Sequence, residues 1–389
     1  MELVAEKYKR TEVGLIPSDW EVKKLGDIFE FKNGLNKEKE FFGYGTPIVN
    51  YMDVFNNAGI YKNDIEGKVF LTPQEIKNYE VKKGDVFFTR TSETVEEIGI
   101  STVVLDDVIN TVFSGFVLRG RSKNSILILE FKKYCFISTF VRKEITTTAS
   151  YTTRALTNGR LLSNVRILVP TIAEQTLIAT ALSDADALIS SLEKLIAKKR
   201  NIKQGAMQKL LQPKEGWEVK KLGEVCEIRK GQLITDSTRV DGYIPVIAGG
   251  KKPAYFHNKP NRIGKTITIS GSGASAGYIA FHDYPIFASD CSTIEESENY
   301  SIEFLYYLMQ LLQEKIYKMQ TGGAQPHIHP SDLNPIVIPF PKKAEQTRIA
   351  TILSDMDTEI SALETKLEKY KKVRLGMMQN LLTGKIRLI

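Results

Sequence analysis

A chain of 389 residues exceeds what one hydrophobic core usually serves, and 42% hydrophobic with 25% charged residues is ordinary globular composition, so two domains are expected. Lys and Arg total 53 against 46 for Asp and Glu, a net charge of +7 that suits a polyanionic partner without demanding one. Cys135, Cys226 and Cys291 form no Cys-x-x-Cys pair and no metal-ligand spacing, the N-terminus lacks a signal-peptide core, and no run of about 18 apolar residues occurs; a cytoplasmic protein outside the membrane is expected.

In chain order, the first block is Trp20-Glu21-Val22-Lys23-Lys24-Leu25-Gly26. Short β-type runs broken by Gly, Pro and Asn follow at 45–49, 85–89, 99–104 and 165–170, with a helix predicted over 126–141. A long helical stretch then covers 173–211. The block returns as Trp217-Glu218-Val219-Lys220-Lys221-Leu222-Gly223, followed by strands at 243–247, 266–270, 277–281 and 335–339 and a helix over 302–319. A second long helix covers 344–382. Both long stretches open Ala-Glu-Gln-Thr and close on Gly-x-Met-Gln-x-Leu-Leu, and roughly half of their positions are identical. The opening blocks are offset by about 197 residues but the helices by about 171, so the first variable region is longer by roughly 26 residues. The frame is repeated and its content differs.

Within the first long helix Ile178, Leu182, Ala185, Ile189, Leu192 and Ile196 form a heptad seam, and Ile349, Leu353, Met356, Ile360, Leu363, Leu367 and Tyr370 form its counterpart. Charged residues fill the positions between. The commoner fate of such a stripe is to pack on its own domain, but equal length and shared register favour pairing of the two helices. The pair should be antiparallel, a rod on the order of 50 Å at 1.5 Å rise, with the chain ends meeting near the first domain. The expected fold is α+β: two similar mixed α/β domains joined by two long antiparallel coiled-coil helices, with pseudo-twofold symmetry. The boundaries are 1–170, 171–212 for the first helix, 213–341, and 342–389 for the second helix and tail.

Catalytic constellations are nearly absent. Gly271-Ser272-Gly273-Ala274-Ser275-Ala276-Gly277 approaches a dinucleotide fingerprint, but its third glycine is one position late and no helix is predicted after it. Gly264-Lys265-Thr266 has the end of a phosphate loop with Lys259 where the first glycine belongs. His327 and His329 alternate in an extended segment, yet no Cys or carboxylate stands at ligand spacing, so a surface or DNA-facing loop is the better reading. No Ser-His-Asp order and no Asn-Pro-Pro-Tyr or Asp-Pro-Pro-Tyr of an amino-methyltransferase occurs. The chain is expected to do no covalent chemistry and to hold no cofactor or metal.

The opening Tyr8-Lys9-Arg10-Thr11-Glu12-Val13-Gly14-Leu15-Ile16-Pro17-Ser18-Asp19-Trp20, the two Ala-Glu-Gln helices and the ending Gly376-Met377-Met378-Gln379-Asn380-Leu381-Leu382-Thr383-Gly384-Lys385 together resemble the specificity subunit of a Type I restriction-modification enzyme. The likeness covers essentially the whole chain, while the variable regions match only in general pattern. It implies a DNA reader for host defence with two target-recognition domains, each binding one half of a bipartite site on double-stranded DNA, spaced by the paired helices. It also implies partners: two methyltransferase subunits that use S-adenosylmethionine on adenine N6 and dock on the helices, and restriction subunits that use ATP and Mg2+.

One frame with different loops offers two readers to one duplex, so an asymmetric target is expected. Loops rich in cations, amides and hydroxyls are the candidates for DNA contact. In the first domain these are Thr89, Arg90, Thr91 and Ser92, then Tyr151, Thr152, Thr153 and Arg154, with Asn158 and Arg160 nearby. In the second they are Lys251, Lys252, Tyr255, Asn261 and Arg262, then Ser270, Ser272 and Ser275 of the glycine loop, and Gln325 and His327. Arg pairs bidentately with guanine and Gln with adenine, while Lys and Ser mostly hold phosphates. Two rival readings remain at this point: a scaffold with two protein-binding lobes on a coiled-coil strut, and a nucleotide-binding enzyme built on the Gly271 loop.

Overall fold

The computed structural model describes residues 7–151, 154–234, 238, 240–323 and 325–388. The chain divides into two compact units, Met1–Ser191 with Leu367–Ile389, and Leu192–Lys366.

In the first unit a five-stranded sheet has the spatial order Phe29–Asn33, Val117–Ser122, Val86–Thr89, Ser101–Val104, Gly59–Ile60. Val86–Thr89 is central because every residue in it can bury. Successive side chains point to opposite faces. Val86 and Phe88 therefore join the core formed with Phe131, Tyr134 and Val141, while Phe87 joins Val54, Val81 and Phe113 on the other side. A three-stranded sheet of Val112–Phe113, Phe42–Val49 and Lys68–Val69 stands beside it.

The second unit repeats this plan. Its sheet runs Arg229–Lys230, Cys291–Glu295, Thr266–Ser270, Ile279–His282, with the fully buried Thr266–Ser270 inside, antiparallel to both neighbours. The companion sheet places Ile244–Ile247 between Tyr255–His257 and Phe287–Ala288. Its parallel pair Val246↔Phe287 corresponds to Val112↔Ile48 in the first unit. The two variable regions share one fold.

The duplicated opening block has a structural reason. Glu21–Lys24 pairs antiparallel with Arg166–Val169, and Glu218–Lys221 pairs in the same way with Val337–Phe340. Each block thus closes its β-rich region onto the strand that leads into a long helix.

Two predicted helices are broken in the structure. The stretch over 126–141 forms Leu129–Cys135 and then Thr139–Thr148, because Ser138 is extended and its hydroxyl accepts from the Val141 N–H, starting a new helix. The stretch over 302–319 splits at Leu312, which lies at φ −91° and ψ 4° between Ile302–Leu311 and Gln313–Tyr317. The extra length of the first region lies mainly between Val49 and Val86, roughly twice the chain that connects Ile247 to Thr266. It forms the helix Tyr51–Asn56 and the edge strand Gly59–Ile60, which have no counterpart among the described residues of the second unit.

The long helices, Ile172–Leu210 and Lys343–Leu381, each have 39 residues. Each contributes to both units, and they pack antiparallel. In the second unit Lys199 pairs with Glu359, Arg200 with Glu364 and Lys203 with Asp357, and in the first unit Asp186 pairs with Arg374. The seam both pairs the helices and docks each of them on a β-rich unit, where the sequence favoured pairing alone. Ile178 and Leu182 lie in the core of the first unit with Trp20 and Ile28, and Ile349 and Leu353 in that of the second with Leu222 and Phe304. Over these first turns the buried stripe widens, since Glu174, Gln175 and Ala179 are buried as well. Farther along, Leu192, Ile196, Ile360 and Leu367 are buried in a narrower stripe, with Ala185, Ile189, Met356, Leu363 and Tyr370 half-buried.

Candidate nucleic-acid interface

In each unit two of the segments chosen from sequence as reading loops are brought together. In the first unit Thr91–Ser92 pairs with Ala155–Leu156, which pairs in turn with Ser150–Tyr151, so the three short strands form one small sheet. In the second unit Ser272 bridges to His327 and His327 to Thr321, and the Gly273 N–H donates to the Pro326 carbonyl at 3.0 Å. Both arrangements grow from the end of the central strand.

The individual side chains divide into those that face solvent and those that hold the loops. Tyr151, Arg154 and Arg160 are exposed, and Arg90 and Thr91 are half-buried, with the Arg90 guanidinium donating to the Gly115 carbonyl at 3.3 Å. Thr152 and Thr153 lie outside the described residues. Lys251, Lys252 and Gln325 are exposed, and the Lys251 ammonium lies 5.4 Å from the centre of the Tyr278 ring. Ser275 and His327 are half-buried, and the His327 and His329 rings stack at 6.2 Å. The two imidazoles do share a face. Among the described residues, no group of three or more His, Cys, Asp or Glu is placed to hold a metal ion.

Several sequence candidates hydrogen-bond within the fold, and some of them are buried. Thr89 is fully buried, its hydroxyl accepting from the Ile100 N–H at 2.9 Å and donating to the Glu97 carbonyl. Ser270 is buried and donates to the Gly249 carbonyl at 2.7 Å. Ser92 is buried against Glu97, and Ser272 donates to the Asp290 carboxylate. Asn158 caps Gly159–Ser163 by accepting from the Leu161 N–H. The Asn261 amide forms both of its bonds with the Ala288 backbone, at 2.9 and 2.6 Å. Arg262 is spent on Thr293, Glu295 and the Asn261 carbonyl, and the Tyr255 hydroxyl donates to the Ile234 carbonyl. These polar groups satisfy backbone edges and irregular loops, which must be paired once water is excluded.

What the sequence search missed is the concavity beside these loops. In the first unit a cleft of about 540 Å³ is lined by Tyr51, Met52, Glu93, Glu97, Phe116 and Arg154, together with Thr91. A search for cations and amides passes over acidic and apolar residues, although Glu93 and Glu97 directly follow the chosen Thr-Arg-Thr-Ser. In the second unit a smaller cleft of about 220 Å³ is lined by Lys251, Lys252, Thr268, Tyr278, His282 and Tyr284. Burial pushes the His282 imidazole down to about 4. Its Nε2 lies 2.9 Å from the Thr268 hydroxyl and its Nδ1 3.3 Å from that of Tyr284. The first unit thus presents a cleft with two carboxylates and one guanidinium, and the second a cleft with two ammonium groups.

The Gly271 loop lacks the setting of a dinucleotide site. It runs into the short 3-10 turn Gly273–Ser275 and then the strand Ile279–His282, with no helix N-terminus to meet a phosphate. Burial also raises the Cys226 and Cys291 thiols to about 12, and Cys135 higher still, so none is a ready nucleophile. No described helix is long and apolar enough to cross a membrane.

A model of the Type I restriction modification DNA specificity domain matches residues 17–204 and again 214–371. The chain belongs to this family. It is the DNA specificity subunit of a type I restriction-modification system, a recognition subunit rather than a catalytic one. A putative type I restriction enzyme MjaX specificity subunit of Methanocaldococcus jannaschii is 26% identical, over 98% of this chain and 97% of that one. A putative type I specificity subunit of Mycoplasma pneumoniae is 25% identical, over 94% and 96%. In fold the chain is similar to the crystal structure of the S subunit of M. genitalium, with a TM-score of 0.62 at 18% identity, covering 93% of this chain and 96% of that one.

The repeated motif residues of the specificity subunit act as locks between helix and β-rich region. Gln175 is buried, accepts from the Ile128 N–H at 3.0 Å and donates to the carbonyls of Ile126 and Pro170. Gln346, its equivalent, accepts from the Ser301 N–H at 2.9 Å and donates to the Pro341 carbonyl at 2.8 Å. The Tyr134 hydroxyl donates to Asp186 at 2.8 Å while Arg374 pairs with the same carboxylate; Tyr307, Asp357 and Lys203 repeat this triad. Burial raises the Asp186 carboxyl, but Tyr134 and Arg374 outweigh it and hold the group below its ordinary value. Glu174 has no such twin. It is fully buried, accepting from the Trp20 indole at 2.6 Å and from Arg387 through both oxygens, at 2.6 and 2.8 Å. Arg387 also reaches Asp19, and the Tyr8 hydroxyl donates to the Gly384 carbonyl, so both ends of the described chain are fastened to the first unit.

Proposed function

We propose that each β-rich unit of this specificity subunit reads one half of a bipartite, asymmetric DNA site, and that the long helices set the interval between the halves and carry two methyltransferase subunits. The observation that carries this reading is that two units of one fold carry unlike surfaces beside their central strands, a cleft lined by Glu93, Glu97 and Arg154 in one and a cleft lined by Lys251 and Lys252 in the other. Equal frames favour equal placement on the duplex. Unlike side chains favour unlike base sequences.

The exposed Arg154, Arg160, Lys251, Lys252 and Gln325 are the groups that meet DNA, while Thr89, Ser270, Asn261 and Arg262 shape the loops that present them. Methyltransferase subunits bring S-adenosylmethionine, and restriction subunits bring ATP and Mg2+; this chain contributes recognition. A solved structure described as showing complex assembly and conformational transition of the type I R-M system matches the fold at a TM-score of 0.59.

The test is mapping of N6-methyladenine in a host carrying this chain with its neighbouring methyltransferase gene, compared with the same host lacking the chain. A chain-dependent motif of two unlike halves around an unspecified spacer is expected. Absence of any chain-dependent motif, with the methyltransferase shown to be present, would overturn the reading.

A further inference from the structure

The cleft of the first unit carries carboxylates where a surface approaching DNA ordinarily avoids them. Glu93 and Glu97 are both exposed at this cleft, beside the exposed Arg154. A carboxylate is acceptor-only at neutral pH and is repelled by phosphate, so beside a duplex it is tolerated where it meets an amino group. Glu97 is also positioned: its Oε2 accepts from the Ser92 hydroxyl at 3.2 Å, and Ser92 is only 7% exposed. The Tyr51 phenol, raised first by burial and then by the Glu97 charge, lies on the same side.

The walls indicate a base edge rather than a phosphate. Met52 and Phe116 line the cleft and are 55% and 66% exposed, so apolar surface flanks the charged groups. Met52 comes from the helix Tyr51–Asn56, which has no counterpart among the described residues of the second unit. The feature therefore belongs to one half-site only.

In the major groove the amino donors are N4 of cytosine and N6 of adenine, whereas an arginine is best matched by O6 and N7 of guanine. A C·G pair presents both partners side by side. With A·T, the arginine would face the lone O4 acceptor of thymine. We propose that the first unit reads a C·G base pair in the major groove, Glu97 accepting from the cytosine N4 amino group and Arg154 donating to guanine O6 and N7. This rests on the DNA-reading function proposed above and assigns one base pair of it.

The experiment maps methylation motifs for the wild-type subunit and for E97Q and R154A, each with the intact methyltransferase partner. The wild-type motif should contain a C·G pair in one half. Each variant should relax that position, with other base pairs accepted after a loss of discrimination of roughly 5- to 150-fold, while the other half-site stays unchanged as an internal control. If E97Q abolishes all methylation, the decision passes to R154A, whose side chain is exposed and whose loss should not unfold the domain. A wild-type motif lacking C·G in either half, or variants that keep the wild-type preference, would overturn the assignment and leave the DNA-reading function standing. A wild-type chain that directs no motif at all would remove both.

Discussion

His282 shows how one residue can serve the fold while lining a candidate reading cleft. It lies at the end of Ile279–His282, is 5% exposed, and uses both ring nitrogens, on Thr268 and Tyr284. Burial holds it neutral down to about 4, against the pull of the nearby Asp283 carboxylate. In the unfolded chain the same group takes its proton near 6.5. Because the folded value is the lower one, the contribution is fully present above about 6.5 and is lost as pH falls towards 4, on the order of 3 kcal/mol in all. Urea denaturation of the wild-type chain and H282Q at pH 7.5, 6, 5 and 4.5 should show the wild type losing more stability over this range. Parallel curves would mean that His282 does not carry the dependence.

Among elements, the long helices are held together by charge as well as by the seam. Lys203 is 15% exposed and reaches Asp357 at 2.5 Å, and Tyr307 binds the other oxygen of that carboxylate. An exposed ion pair would be worth little, but a shared, half-buried carboxylate couples more strongly. A double-mutant cycle of K203M and D357N should give a coupling of about 1 kcal/mol or more in unfolding experiments, and a value within error of zero would return the pair to the surface class. These elements also show what was legible beforehand. The helices and the frame could be read because period and repetition survive without tertiary context, and 266–270 could be read as a strand because Thr-Ile-Thr-Ile-Ser is β-branched and bounded by glycine and lysine. The helix Tyr51–Asn56 could not, since its six residues mix polar and apolar groups and it is fixed by an Asn50–Asp53 capping box. The backbone partners of Thr89 and Asn261 were not legible for a related reason: hydroxyls and amides that satisfy backbone look, in sequence, like those that meet a ligand.

The whole molecule makes one demand that neither unit makes alone. Asp186 and Lys203 are as far apart along the first helix as Arg374 and Asp357 are along the second, and each lock joins one residue from each helix. Lengthening one helix between its two lock residues would pull at least one lock out of register. Lengthening both by seven residues keeps the locks and returns every seam position to its own side, because the apolar stripe repeats every heptad. Such a paired insertion adds about 10 Å at 1.5 Å per residue, roughly 3 base pairs of duplex. Rotation matters as well. A heptad turns an ideal helix by only about 20° relative to its seam, whereas 3 base pairs turn the duplex by roughly 100° at about 10.5 per turn. The double insertion should therefore shift the mapped motif to an unspecified spacer longer by roughly 3 base pairs, at reduced methylation because DNA twist must absorb the difference. An insertion in one helix alone should lower folding stability and give no new spacer. If the paired variant folds, methylates and keeps the original spacer, the helices do not set the interval, and the two readers must be placed on DNA by the partner subunits instead.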